Sequence, residues 1–205
     1  QRGCIRGCRF CQAGMLYRPT RERNVETLKE YARVMLKNTG HEEISLSSLS
    51  SSDYSELKEL VDFLIDEFKD KGMNITLPSL RIDAFSLDVM QRVQDIRKSS
   101  LTFAPEAGSQ RMRNVINKGL TEEMILEGAG QAFEGGWSKV KLYFMLGLPT
   151  ETEADMKEIA RLSDRIARRY YEIPKEERHG KCQITASTSF FVPIPFTPFQ
   201  WAQMC

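Results

Sequence analysis

Three cysteines stand within eight residues of one another near the start of this sequence, and they constrain it more than any other feature. Cys4, Cys8 and Cys11 follow the spacing Cys-x3-Cys-x2-Cys, with Gly3 and Gly7 beside them. Because glycine permits sharp turns, one tight loop can bring three thiolates around one point. The spacing therefore predicts a cysteine loop that binds a single inorganic group.

Arginines fill the gaps of this loop, and we expect Arg6 and Arg9 to lower the thiol pKa values and to offset thiolate charge. Iron–sulfur clusters take cysteine ligands, and a four-iron cluster held by three cysteines leaves one iron open. An open iron can bind a substrate or a cofactor. A four-iron cluster with one free coordination site is the chemistry that this loop favours.

Phe10 stands just before the third cysteine, and the run from Cys4 to Cys11 resembles the signature of the radical S-adenosylmethionine superfamily. The continuation Cys11-Gln12-Ala13-Gly14 and the stretch 197–201 resemble the cobalamin-binding-type members of that superfamily. This resemblance implies a core domain over 1–205, cut from a longer protein with a cobalamin-binding-like domain before it and another domain after it. It also implies an open six-fold βα barrel, that is, an α/β fold with a parallel, partial TIM-like barrel.

The same resemblance implies an enzyme with a [4Fe-4S] cluster and S-adenosylmethionine, with cobalamin as a further cofactor of the full-length protein. The reduced cluster would cleave S-adenosylmethionine to a 5′-deoxyadenosyl radical, which abstracts hydrogen from a substrate. A reductant such as flavodoxin or ferredoxin would supply the electron. The substrate is unknown, with RNA and protein both open, and so is the outcome: methylation, methylthiolation or oxidation.

Other readings of the cysteines remain open. A structural zinc site wants four ligands, and the remaining candidates, Cys182, Cys205, His41 and His179, are all distant in sequence. Disulfides fit poorly with five cysteines. A non-catalytic iron–sulfur or zinc module that supports RNA or protein binding is the main alternative, motivated by the basic stretch 18–23. A plain βα scaffold with vestigial cysteines is the third.

Composition excludes little. Net charge is +1 over 205 residues, which gives no nucleic-acid or membrane footprint by itself. No apolar run approaches the roughly 18 residues that a membrane span needs. Thiolate chemistry without a recognisable secretory signal predicts a reducing, cytoplasmic setting.

Hydrophobic periodicity predicts alternating strands and helices, which favours a parallel sheet with helical crossovers. Strands are predicted over 43–50, 74–80, 100–104, 139–146 and 183–192, with a sixth ending at the cysteine loop. Helices are predicted to begin after Asn24, Asp53, Ser86, Ser109, Thr121 and Thr152. Asp53 and Glu56 stand close to a capping-box spacing. Six strands suit this length better than the roughly 250 residues of an eight-fold barrel.

Active groups of such barrels gather where the strands end at their carboxyl ends. By resemblance, Glu106 matches a glutamate that contacts the ammonium or ribose of S-adenosylmethionine, and Phe10 and Gly147 match residues near adenine. The serine run 47–52 replaces a Gly-Gly-Glu-like run, so its hydroxyls or carbonyls would accept from the amino group. The predicted cofactor-binding residues are Phe10, Ser48, Ser50, Arg81, Glu106 and Gly147, and the predicted metal ligands are Cys4, Cys8 and Cys11.

Each assignment has a plainer alternative. The serine run could be a polar linker, and Glu106 could be a carboxylate stabilised at a helix start. Arg81 could pair with Asp83 or bind the S-adenosylmethionine carboxylate. Ile194 and Phe196 stand where the cobalamin-binding-type proteins usually carry a lysine and a histidine, so the sequence names no substrate-binding or catalytic residue.

Overall fold

The computed structural model describes residues 1–68, 72–76, 81–82 and 101–204. Within these ranges the strands are β1 (Glu43–Ser45), β2 (Asn74–Thr76), β3 (Leu101–Glu106), β4 (Lys139–Leu146) and β5 (Gln183–Phe190). The helices are α1 (Ala13–Leu16), α2 (Val25–Thr39), α3 (Leu57–Phe68), α4 (Gln110–Val115), α5 (Glu122–Glu134) and α6 (Glu153–Tyr171). The predicted helix after Ser86 and most of the predicted strand 74–80 lie outside the described residues.

All the pairings between described strands are parallel. β1 pairs with β2, and β4 lies between β3 and β5 in a three-stranded sheet. Parallel neighbours need crossover connections, and here helices supply them, as between β3 and β4 and between β4 and β5. The predicted α/β architecture with parallel strands is therefore present, and the carboxyl ends of neighbouring strands meet at one edge of each sheet.

The helices begin where the capping residues predict, with one exception. Asn24, Ser109, Thr121 and Thr152 each accept a backbone N–H from the first turn of a helix, and Thr152 forms a capping box with Asp155. Asp53 does not cap α3, which begins four residues later at Leu57. The carboxylate of Asp53 is already bonded to Arg6 and Ser50, so it is unavailable as a cap.

Two hydrophobic clusters fill the space between sheet and helices. The larger one joins the alternate residues of β3 and β4 to the inner faces of α5 and α6, with Phe103, Leu142 and Leu162 fully buried. The smaller one joins β1 and β2 to α2 and α3 around Val61 and Leu64. Burial of these apolar faces, rather than helix propensity, provides most of the stabilisation.

A third cluster lies at the carboxyl ends of the strands. Ala107, Met112, Ile116, Leu148 and Phe191 are its buried members. Phe10 packs against them, so the cysteine loop rests on the loops that follow β3, β4 and β5. The third cluster is therefore the apolar floor of the candidate site.

β5 lies at one edge of the described three-stranded sheet, and most of its side chains are exposed. Phe190 is 65% exposed and Val192 just beyond the strand is 53% exposed. None of the helices in the described ranges is both long and apolar enough to cross a membrane.

Candidate functional site

The cysteine loop is a tight structure closed by two glycines. Gly3 has a positive φ of +86°, and a Cβ there would lie 2.2 Å from the carbonyl oxygen of Tyr17. A Cβ at Gly14 would lie 1.9 Å from the carbonyl oxygen of Arg6. Side chains at either position would force the backbone apart, since real Cβ atoms do not approach so closely. The two glycines therefore fix the path of the chain on both sides of the cysteines.

The three thiols of the loop are free and partly enclosed. Cys4 and Cys8 are buried, Cys11 is half-buried, and none forms a disulfide. The backbone N–H of Arg6 donates to Cys4 Sγ at 3.4 Å, so this sulfur accepts a hydrogen bond from its own loop. The charges of Cys11 and Cys4 each add to the rise in the pKa of the Cys8 thiol, so the three thiols lie near one another.

The charges around Cys8 differ from the sequence-based expectation. Burial, the largest influence, raises the pKa of the Cys8 thiol above its ordinary value, while the positive charges of Lys118 and Arg81 oppose that rise. The expectation that the loop's own arginines lower the thiol pKa values is therefore wrong for Cys8. Arg6 and Arg9 instead direct their guanidinium groups at other segments.

Arg6 ties the cysteine loop to the segment after β1. Its guanidinium contacts both carboxylate oxygens of Asp53, at 2.5 and 3.2 Å, and the Asp53 side chain is only 6% exposed. Ser50 Oγ also donates to Asp53, at 2.6 Å. Burial by itself would raise the pKa of Asp53, but the bonds from Arg6 and Ser50 outweigh it and hold that pKa below its ordinary value.

The serine run is an ordered turn. Ser48 Oγ accepts the N–H of Ser50 at 3.2 Å, and Ser51 Oγ donates to the carbonyl of Leu46 at 2.8 Å. Ser50 and Ser51 are buried. The hydroxyls of Ser48 and Ser50 thus have partners within the turn, and their predicted role in cofactor binding stays a prediction.

On its other side, the cysteine loop is bonded to residues 114–118, which are the end of α4 and the turn after it. The N–H of Arg9 donates to the carbonyl of Ile116 at 2.9 Å, and its guanidinium donates to the carbonyl of Val115 at 2.5 Å. Asn117 Nδ2 donates to the carbonyl of Gly7 at 2.8 Å. Asn117 has a φ of +53°, a left-handed conformation that asparagine tolerates better than most residues. This turn and the cysteine loop form one bonded unit.

The same turn presents Lys118 to the site. Its side chain is 9% exposed, and Nζ lies 3.1 Å from Glu106 Oε1 and 6.0 Å from the centre of the Phe10 ring. Glu106 ends β3 with a φ of +68° and is 17% exposed at its side chain. Two of the predicted cofactor-binding residues, Glu106 and Phe10, are therefore brought together by a lysine that the sequence analysis missed.

Arg81 joins the two sides of the site. Its N–H donates to Ser52 Oγ at 3.1 Å, and its guanidinium donates to the carbonyl of Lys118 at 3.4 Å. Its charge lowers the pKa of Asp53 as well as opposing the rise at Cys8. Arg81 thus lies between the serine run and the lysine turn, beside the cysteines.

Gly147 forms the turn after β4, with a φ of +78°. Its N–H donates to Glu151 Oε2 at 2.6 Å, and the neighbouring Leu148 belongs to the apolar floor beneath Phe10. Burial raises the pKa of Glu151 above its ordinary value, although the hydrogen bonds from the backbone N–H groups of Gly147 and Leu148 oppose that rise. This turn therefore lies near the site, and the backbone N–H of Gly147 is already bonded to Glu151.

The side chains of the cysteine loop limit the kind of inorganic group that it can hold. No three His, Cys, Asp or Glu side chains within the described ranges converge closely enough for a single metal ion. Three free thiols in one short loop are the ligand type that the irons of an iron–sulfur cluster take, so the loop suits such a cluster.

Asp53, Asn117 and Lys118 are the site residues that sequence reasoning missed. Asp53 is 47 positions from its partner Arg6, Asn117 is 110 positions from Gly7, and Lys118 is 12 positions from Glu106. The run Asn117-Lys118-Gly119 after a short helix was a usable signal, because asparagine and glycine both favour left-handed turns. It indicates a sharp turn without indicating what the turn contacts.

Residues 1–163 match the family model described as the radical SAM superfamily. The chain is 37% identical over 199 residues to the uncharacterized protein MJ0966 of Methanocaldococcus jannaschii, covering 97% of this chain and 41% of that protein. It is 27% identical over 161 residues to the putative methylthiotransferase MJ0865 of the same organism, covering 75% of this chain and 35% of that protein. The chain thus spans less than half the length of these relatives.

Among solved structures, the chain is similar to methylornithine synthase (PylB), with a TM-score of 0.61. The match has 15% sequence identity and covers 98% of this chain and 54% of that one. At this identity the likeness concerns the fold. It confirms the predicted TIM-like barrel architecture, of which the described parallel strands form part.

Proposed function

The chain belongs to the radical S-adenosylmethionine superfamily, and on that premise we propose that Cys4, Cys8 and Cys11 hold a [4Fe-4S] cluster. When bound and reduced, this cluster supplies the electron that cleaves S-adenosylmethionine to methionine and a 5′-deoxyadenosyl radical, which then takes hydrogen from the substrate. One observation carries the proposal: the single cysteine loop holds three free, partly enclosed thiols. This loop lies at the edge where the carboxyl ends of the strands meet.

The protein's own contribution is to hold this loop and to exclude water from it. Arg6 and Asp53 fasten one side, while Arg9 and Asn117 fasten the other. Phe10 packs against the third hydrophobic cluster, which forms the apolar floor of the site. Exclusion of water protects a reactive radical from side reactions, which is what a cofactor of this kind needs from its site.

We further propose that Glu106 receives the ammonium or ribose hydroxyls of S-adenosylmethionine, with Phe10, Arg81 and Gly147 around the same ligand. Support comes from the position of Glu106 at the end of β3, where its side chain is 17% exposed. Glu106 is paired with Lys118, and Lys118 lies beside Phe10 of the cysteine loop. Ser48 and Ser50 contribute mainly by holding the turn that carries Asp53. The reaction outcome, the substrate, the reductant and any use of cobalamin remain predictions from the resemblance.

The test is electron paramagnetic resonance of the anaerobically reconstituted, dithionite-reduced protein, with and without S-adenosylmethionine. We expect a reduced four-iron signal that changes on addition of S-adenosylmethionine, together with formation of 5′-deoxyadenosine. Substitution of Cys4, Cys8 or Cys11 with alanine should abolish both readouts. Cys182→Ala is the matched control, because this thiol packs against the large hydrophobic cluster, outside the cysteine loop.

Stoichiometric zinc with no four-iron signal would support the alternative, a non-catalytic metal module. Assembly of a cluster without any cleavage of S-adenosylmethionine would support the same alternative in its iron–sulfur form. Absence of any bound metal after reconstitution would support a scaffold with vestigial cysteines.

A further inference from the structure

We propose that Lys118 is a positioning residue that raises the reduction potential of the cluster and keeps Glu106 oriented, acting on both through one buried ammonium. The inference rests on the proposed function, because it needs a cluster on the three cysteines. It goes beyond that function by assigning a role to a residue outside the cysteine motif and outside the predicted cofactor-binding set.

Lys118 has a fixed position beside the cysteine loop. The turn that carries it is attached to the cysteine loop through the Ile116 carbonyl and the Asn117 side chain. Its own backbone N–H donates to the carbonyl of Arg113 at 2.9 Å, and its carbonyl accepts from Arg81. The backbone of Lys118 therefore moves only if the cysteine loop moves with it.

Arg113 makes this attachment rigid. Its guanidinium is fully buried and donates to the carbonyls of Ala107, Gly108 and Leu120, at 3.1, 2.8 and 3.2 Å. These carbonyls belong to the segments on both sides of α4, so one side chain holds the start and the end of that segment together. Buried polar groups that are fully bonded specify one conformation. Glu106 and Lys118 are consequently held at a constant separation.

The charge of Lys118 acts on the cysteine site. The Lys118 ammonium lies 6.0 Å from the centre of the Phe10 ring, and Phe10 directly precedes Cys11 in the cysteine loop; the lysine side chain is only 9% exposed. Reduction of a cluster adds one electron and hence one unit of negative charge to the cysteine site. An ammonium held nearby, with little solvent around it, stabilises that added charge more than it would in water. The reduced form becomes easier to reach, which matters for a cluster that must pass an electron to a bound cofactor.

The same lysine also holds Glu106. Its carboxylate has the Lys118 ammonium as a partner at 3.1 Å. A carboxylate bonded through one oxygen to a nearly buried ammonium is held in one orientation, and the Phe10 ring lies 6.0 Å from the same ammonium. The Lys118 ammonium thereby stabilises added negative charge at the cluster and also orients the carboxylate that is proposed to bind S-adenosylmethionine.

The experiment is a redox titration of the cluster signal in the anaerobically reconstituted full chain, with iron and sulfide content measured in parallel. Lys118→Met should lower the equilibrium constant for reduction on the order of tenfold, which is a shift of about 59 mV to more negative potential. Lys118→Arg keeps the charge and should restore most of the wild-type potential. Lys141→Met is the control, because Lys141 lies on β4 against the Tyr143 ring.

Glu106→Gln provides a second test with the opposite sign. Removal of the carboxylate frees the ammonium from its counter-charge, so the potential should become less negative. This variant decides the matter if Lys118→Met fails to fold or to hold iron. A merely structural role for the pair would lower the iron content in both variants without opposite shifts in potential.

Two outcomes overturn the inference. One is a cluster in Lys118→Met with an unchanged potential, and the other is an unchanged or more negative potential in Glu106→Gln. Either result leaves the proposed function standing, since the wild-type cluster is present. Failure of the wild-type chain to assemble any cluster would remove the proposed function and this inference together.

Discussion

Two ion pairs flank the cysteine loop, and they are built differently. The Arg6–Asp53 pair joins the loop to the turn after β1, across 47 positions of sequence. The Glu106–Lys118 pair lies within the single stretch that runs from the end of β3 to the turn after α4. The first pair connects two separate segments, whereas the second pair connects the two ends of one.

This difference predicts that the Arg6–Asp53 pair holds the cysteine loop in place, whereas the Glu106–Lys118 pair acts on ligand binding and on the cluster. Rupture of Arg6–Asp53 releases the cysteine loop from one side and leaves a buried carboxylate without its main partner. Rupture of Glu106–Lys118 leaves the backbone in place, because Arg113 and Asn117 still hold that stretch. We therefore expect the first pair to govern stability and cluster assembly, and the second to govern affinity and potential.

Asp53→Asn should have the largest effect on the fold. Loss of the charge weakens two bonds from Arg6 and one from Ser50 at a nearly buried position, which should cost about 2 kcal/mol of unfolding free energy. Chemical denaturation measures the loss, and the iron content after reconstitution should fall with it. Asp66→Asn, at an exposed position of α3, is the control. Unchanged stability in Asp53→Asn would contradict the fastening role.

The Arg6–Asp53 pair also predicts that the stability of the fold depends on pH. The pKa of Asp53 is lower in the folded chain than its ordinary value of 3.8, so the folded state favours the ionised carboxylate. Its contribution is complete above the ordinary pKa and is lost as pH falls through the lower, folded-state pKa. Denaturation curves from pH 6 down to about pH 2 should show this loss in the parent chain. The acid-dependent component should be smaller in Asp53→Asn.

Glu106→Gln should leave the unfolding free energy and iron content close to the parent values. Affinity for S-adenosylmethionine should fall by about tenfold, because one charge-assisted bond to the ligand is replaced by a neutral one. Equilibrium binding to the reconstituted chain measures this change, with Glu127→Gln on the exposed face of α5 as control. A large loss of stability with unchanged affinity would reverse the roles assigned to the two pairs.

Ser50→Ala should give the smallest effect of the set. It removes one bond to Asp53 while the Arg6 bonds remain, so the expected loss is about 1 kcal/mol of unfolding free energy. Ser47→Ala, in the exposed part of the same run, should be neutral. A marked fall in S-adenosylmethionine affinity in Ser50→Ala, with stability retained, would instead assign the hydroxyl directly to the cofactor.

Local features of the fold were readable from the sequence because they depend on neighbouring residues. Asn24 and Gly40 bound α2, Thr152 and Asp155 start α6, and the alternation from Lys139 to Leu146 is the strand β4. The predicted last strand, 183–192, ends two residues earlier at Phe190. Prolines that follow closely do not form ladder bonds, which accounts for the shorter strand.

The site was only partly readable, since its polar contacts are long-range. The cysteine spacing identified the loop, but nothing in the sequence around Asp53 indicates Arg6 as its partner, and a capping role was the local expectation. Lys118 presents the same difficulty, because its importance comes from a turn that contacts a loop more than 100 positions away. Periodicity and motif spacing carry no information about such pairings.

The exposed edge of β5 has a practical consequence for anyone who handles this chain in isolation. Among the described strands β5 pairs on one side only, and a parallel edge strand presents unpaired backbone donors and acceptors; Phe190 and Val192 add apolar surface beside that edge. Such an edge is a template for pairing with another chain, so the isolated chain should tend to self-associate at high concentration. A lysine in place of the exposed Thr188 would make that edge a poorer template and should improve solubility, without touching the cysteine loop.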